Sequence, residues 1–176
     1  MDTADLRMRD LFNLIAVIAF AALAVVSLVL HSLTFFGRDP RELSQYLWYG
    51  LQFSSAFALI VAILAFGITE KTQPVAREWS LNQVLGLCFV LFILYAAFNF
   101  IFTGSFLLHD ANPMIVNGQY ARGSHGMSTP ISKEEFMKEM AYEARLHSGH
   151  WMAFFMFAVT ALRWRKEKVK PLLKDH

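Results

Sequence analysis

Three uncharged apolar runs, residues 11–30, 46–68 and 81–108, set the terms on which this chain can fold. Each is long enough to cross about 30 Å of hydrocarbon as a helix. A helix satisfies its own backbone hydrogen bonds where no water can, so the runs point to a helical membrane protein. The apolar character of the first continues to Phe36. The third is the longest, which predicts a helix that tilts or projects beyond the bilayer. Composition agrees with this reading. Of 176 residues, 56% are hydrophobic and only 17% charged, against about a quarter in a soluble domain.

A fourth run is weaker. Seventeen uncharged residues lie between Arg145 and Arg163, two of them histidines. As a helix they cover about 25 Å, a little short of the hydrocarbon thickness. The richness in Phe and Met, with Trp151 and Trp164 near its ends, still predicts a span. Its shortness draws His147 and His150 to the headgroup level or below.

Orientation follows from lysine and arginine near the span ends. One side carries Arg7, Arg9, Lys71, Arg77, Arg163, Arg165, Lys166, Lys168, Lys170 and Lys174. The other carries Arg38, Arg41, Arg122, Lys133, Lys138 and Arg145. The excess predicts a multi-pass protein of the cell (inner) membrane with both termini cytoplasmic, as four spans require. Trp48 and Trp151 then fall at the outer interface, and Trp79 and Trp164 at the inner one, as in an aromatic belt. Ala22-Leu23-Ala24 looks like a signal cleavage site, but the apolar run continues through it, so the first span is read as an uncleaved anchor. The one cysteine, Cys88, allows no internal disulfide and no thiol redox pair. It reads as a small buried apolar residue.

The expected architecture is an all-α integral membrane four-helix bundle in one domain, residues 1–176. Its spans are about 11–34, 46–68, 81–108 and 146–164. A loop-rich extracytoplasmic cap covers 109–145, and a basic cytoplasmic tail covers 165–176. Phe36-Gly37-Arg38-Asp39-Pro40 is a turn. Within the cap, Asn117-Gly118 between short apolar stretches predicts a small β-hairpin. Ser132 and Glu135 form a capping box that opens a single long helix from Lys133 to about Lys168. Small residues offer close-packing surfaces: Ser54, Ala58 and Ala62 on the second helix, and Ala16, Ala19 and Ala22 on the first.

Useful ionisable groups gather at one end of the helices. Glu143, His147 and His150 are spaced i, i+4 and i+7, so they share one helix face. A carboxylate and two imidazoles can hold a transition metal with a position left open. His109 and His31, from the same ends of two other helices, can complete the set or orient it. Haem requires two histidines facing each other across the bundle, His109 or His31 opposite His150. Tyr95, Asn99 and Thr103 form a polar stripe on the third helix, which Asp110 extends. The competing expectation is interfacial histidines bonded to carbonyls, with Glu143 paired to Arg145 or Lys138.

No nucleophilic triad, phosphate loop or row of acids is present, and the short basic tail suits anionic lipid headgroups rather than nucleic acid. Two functions remain. One is an accessory or interaction subunit acting at the extracytoplasmic face, with a membrane-protein partner or a second copy of the chain. The other is a metal- or haem-binding redox protein with its site near the outer interface.

Overall fold

The computed structural model describes residues 3–67, 81–109 and 111–172. The loop with Lys71, Pro74, Arg77 and Trp79 lies outside the described residues, as do Asp110 and Lys174. So do the side chains of Arg7, Arg9 and the basic tail from Trp164 onward.

Four helices account for most of the chain: α1 (Thr3–Thr34), α2 (Gln45–Gly67), α3 (Leu81–Ile101) and α4 (Lys133–Leu172). The end of α1 is set by Gly37, whose φ of 70° is open to glycine without penalty. The amides of Gly37 and Arg38 bond the carbonyls of Thr34 and Leu33, closing a Schellman cap. Asp39 then accepts from the amide of Arg41 at 3.0 Å and starts a short 3₁₀ turn, Pro40–Glu42. Beyond Ile101, α3 widens into a π-helical stretch, Phe102–Leu107, and stops at His109.

The cap corrects the all-α, loop-rich expectation. It holds a three-stranded antiparallel sheet of β1 (Asn112–Val116), β2 (Gln119–Ser124) and β3 (Met127–Pro130), in sequence order. Both turns have two residues at positive φ, Asn117-Gly118 and His125-Gly126. That is type I′ geometry, whose twist matches that of paired strands. The Asn117-Gly118 hairpin was legible in the sequence. The third strand was not, because His125 stands where Asn or Asp would have signalled the second turn.

Ser132 opens α4 as the capping box predicts. Its hydroxyl accepts from the Glu135 amide at 3.1 Å, and the Glu135 carboxylate accepts from the Ser132 amide at 2.9 Å. The helix then runs unbroken past the expected end near Lys168.

α4 is the common partner: α1, α2 and α3 each pack on it, and direct packing among those three is slight. The core joins Phe20 and Ala24 of α1, Leu51, Ala58 and Ala62 of α2, and Phe155, Ala158 and Leu162 of α4. Ala58 and Ala62 are fully buried, as their spacing implied. On α1 the expected alanine surface turns out differently. Ala19 and Ala22 are exposed, and the buried face is Phe20, Ala24, Ser27, Leu30 and His31. A larger side chain, Phe20, occupies the contact because it fills the groove between Phe57 and Phe155. Trp48 and Trp151 also depart from the belt expectation. Both are buried, with ring centroids 4.4 Å apart, so they are a packing pair between α2 and α4.

Three of the described helices are long and apolar enough to cross a membrane: Asp10–Thr34, Gln45–Ala65 and Val84–Leu107. The weaker run in α4 is not among them. Outward-facing side chains of the three are large and apolar, for example Ile18, Phe57 and Leu94.

Candidate functional site

The cap-side third of the molecule contains a layer of buried polar side chains, built where α1 and α3 meet α4. Gly149 makes the approach possible. A Cβ at that position would lie 2.5 Å from Asn99 Nδ2 and 3.6 Å from His31 Cε1. With no side chain there, Asn99 reaches across and donates to the carbonyl of Arg145 at 3.0 Å. Thr103 donates to Asn99 Oδ1 at 3.1 Å. The stripe read from the third helix is therefore an interhelical clamp.

His31 forms the second half of the layer. It is 2% exposed, with Nδ1 2.8 Å from Ser148 Oγ and Nε2 against the hydroxyl of Tyr95. Ser148 donates to the carbonyl of Ala144 at 2.7 Å. One assignment satisfies all three groups: Nδ1–H donates to Ser148, and Tyr95 donates to Nε2.

Arg145 stands at the cap-side edge of this layer. Its guanidinium carbon lies 3.8 Å from the centroid of Phe35, a cation–π contact. Its charge acts on both His31 and Tyr95, and it hydrogen-bonds the Tyr95 hydroxyl. Among the described residues no carboxylate pairs with it, and its Nε is buried without an acceptor.

Nearer the cap, Arg41 ties the α1–α2 loop to α4. Its Nε donates to both oxygens of Asp39 at 2.9 Å, Nη1 to Glu143 at 2.9 Å, and Nη2 to the Met140 carbonyl at 2.7 Å. Burial opposes its charge, but the bonds to Asp39 and Glu143 outweigh that and hold the guanidinium above its usual pKa. The sheet is fastened separately. Arg122 of β2 donates through Nε and Nη2 to Glu139, which is 4% exposed, and Tyr120 packs on Phe136 with centroids 4.8 Å apart. The hydrogen bond that Arg122 donates to Glu139 raises the pKa of Arg122.

The five residues expected to share an ion have different surroundings. Glu143 bonds Arg41, so its ion partner is neither Arg145 nor Lys138. His147 is exposed and meets the edge of Trp48 on α2. His150 donates Nδ1–H to the Leu146 carbonyl at 2.8 Å and sits edge-on to Phe100 of α3. His31 approaches α4 at Ser148, about 100° around the helix from His147. His109 ends α3, exposed, at a φ of 51°. No group of three or more His, Cys, Asp or Glu residues that could hold a metal ion is found among the described residues.

From the sequence alone, Arg41 reads as a topology marker only, and Arg145 as a topology marker or a partner of Glu143. Arg41 carried a usable signal, an Asp two residues before it across a proline. Ser148-Gly149 serves the close helix crossing. Comparison of the chain with protein-family models, curated proteins and solved structures finds no match.

Proposed function

We propose that this chain is a four-helix membrane protein acting as an accessory or interaction subunit, with its cap as the contact element. In this reading α4 is the fourth span. Its low hydropathy is tolerable because α1, α2 and α3 shield it from lipid, and from Ser148 to Leu162 most of its residues are buried. Intramembrane polar groups are costly where they face lipid and acceptable where they face protein. Both termini are assigned to the cytoplasm of a cell with this protein in its inner membrane, and the basic tail 165–176 to anionic headgroups. A reporter after His176 is expected to read cytoplasm, and one at Asn117 the outside. The reverse result would overturn the arrangement.

The observation that carries the functional reading is that three cap-side ionisable groups, Arg145 not among them, are already engaged inside the chain. Arg41 is taken by Asp39 and Glu143, Arg122 by Glu139, and His31 by Ser148 and Tyr95. What the cap leaves free is surface: Ile115 is 62% exposed, Met127 is 75% exposed, and the outer strands of the sheet have unpaired edges. Exposed apolar side chains on a fastened sheet suit a protein contact, by edge pairing or by face.

The test places a photo-crosslinking residue at Met127, Ile115 or, as a lipid-facing control, Phe57, in native membranes. Discrete protein adducts from the two cap sites and none from Phe57 are expected. An adduct of twice the chain mass identifies a second copy as the partner. Absence of any cap adduct overturns the reading. Metal analysis and a visible spectrum of the purified chain address the other class of function. A stoichiometric metal or haem lost on His150→Ala would replace the accessory reading with the redox one.

A further inference from the structure

A cleft of about 380 Å³ runs between α1 and α3, with Met152 of α4 as its floor. Its walls are apolar along most of their length, including Phe35, Leu91 and Phe92, and its polar groups gather toward the cap, at His31 and Tyr95. Leu91 at the rim is 56% exposed, on the same side of α3 as other outward apolar residues, so the cleft opens sideways where the helices face lipid. Such an opening admits a hydrocarbon chain from the bilayer without passage through water.

A cation lies just beyond the cap end of the cleft, next to its lining residue Phe35. Phe35 carries the guanidinium of Arg145 on its ring, and no carboxylate among the described residues answers that charge. A charged side chain at this depth ordinarily finds a partner, because hydrocarbon solvates it poorly. A neutral occupant would fill the cleft and leave the cation with only the Phe35 ring and the Tyr95 hydroxyl. A phosphate answers the cation, since its oxygens match the donor fork of a guanidinium. The polarity also has a direction. Arg145 lies toward the cap from Ser148, while the apolar walls extend away from the cap past Phe92 to Cys88. A lipid of the cap-side leaflet has this same order, head outward and chain inward.

We propose that the α1–α3 cleft binds one acyl chain of an anionic phospholipid from the cap-side leaflet, with the phosphate held at Arg145. The site is independent of the cap contact proposed above, since no residue of the sheet lines it.

The experiment uses the full chain in phosphatidylcholine vesicles containing a trace of photoactivatable lipid with a diazirine on its acyl chain. The probe is phosphatidylglycerol, phosphatidylcholine or a free fatty acid, and labelled positions are mapped by mass spectrometry. Labelling from phosphatidylglycerol is expected to concentrate on Leu91, Phe92 and Met152 and to exceed that from phosphatidylcholine about fivefold, the factor for one basic contact to an anionic lipid. Arg145→Gln should reduce it to the phosphatidylcholine level, and Arg145→Lys should retain part of the preference. Leu91→Trp fills the cleft mouth from the lipid side without touching the core, so it should remove labelling at Met152 even if Arg145→Gln fails to fold. Equal labelling from both phospholipids overturns the proposal. So does labelling spread evenly onto Phe57 and Ile60, or preference for the free carboxylate over the phosphate.

Discussion

Asn99 of α3 occupies the space that a side chain on Gly149 of α4 would need, its Nδ2 lying 2.5 Å from where a Cβ would be. Asn99 cannot swing aside freely, because it is buried and donates to the carbonyl of Arg145 while accepting from Thr103. Gly149→Ala is therefore expected to cost about 2–3 kcal/mol, combining overpacking with the loss of a buried hydrogen bond. Asn99→Ala should relieve the clash. In a double-mutant cycle followed by unfolding in detergent, the pair should cost less than the sum of the singles by about 1 kcal/mol or more. Strict additivity would show that the two residues do not compete for the same space.

His31 lends itself to a separation of packing from hydrogen bonding. Interhelical hydrogen bonds in membranes are weak, averaging about 0.6 kcal/mol with a maximum near 1.7, because the unfolded helices find other partners. Tyr95→Phe keeps the ring and removes the bonds of the hydroxyl, to His31 Nε2 and from Arg145, and should cost about that much. His31→Ala also leaves a void among Phe35, Tyr95 and Ser148, and roughly 2–4 kcal/mol is expected. Equal costs for the two variants in the same unfolding assay would mean that the hydrogen bond to Tyr95 of α3, and not the filled volume, sets what His31 contributes.

The three long apolar helices and the helix limits were legible because uncharged length and capping chemistry are local properties. Gly37, Ser132 and Glu135 act through backbone groups within a few residues, so their sequence spacing is enough. The site was not legible in the same way. Glu143, His147 and His150 do share a helix face, but what each one meets depends on which neighbour lies opposite, and α4 has three neighbours. Glu143 meets Arg41, which is 102 positions away in sequence. Trp48 and Trp151 were read from their depth alone, whereas their mutual contact decides their burial.

The sheet should depend on one ion pair. Glu139 is nearly inaccessible, and its second oxygen already lacks a partner, so Arg122 is its sole compensating charge among the described residues. Arg122→Ala leaves a buried carboxylate unpaired. The cost is about 1–3 kcal/mol, at the low end of buried-pair values because Arg122 itself is partly exposed to water. The cap should then fray, with faster tryptic cleavage after Lys133. Adding Glu139→Gln removes the stranded charge and should restore resistance. Unchanged cleavage in Arg122→Ala would locate the cap's stability elsewhere, in Tyr120 and Phe136.

Acid should loosen the start of α4. The Glu135 carboxylate accepts from the amide and the hydroxyl of Ser132, and these bonds lower its pKa below the usual value of 4.5. The folded-state pKa is depressed, so the carboxylate's contribution is complete above the unfolded value. It is lost as pH falls through the lower, folded one. Glu135 is fully exposed, so the effect is local to the first turn and not a global unfolding. A side-chain NMR titration should give Glu135 a midpoint below 4.5, with the amide signals of the first turn broadening over the same interval. Ser132→Ala removes the hydroxyl and should move the midpoint upward while leaving the backbone amide bond in place. A midpoint at the ordinary value in the wild-type chain, unaffected by Ser132→Ala, would mean that the capping box does not hold α4 in solution.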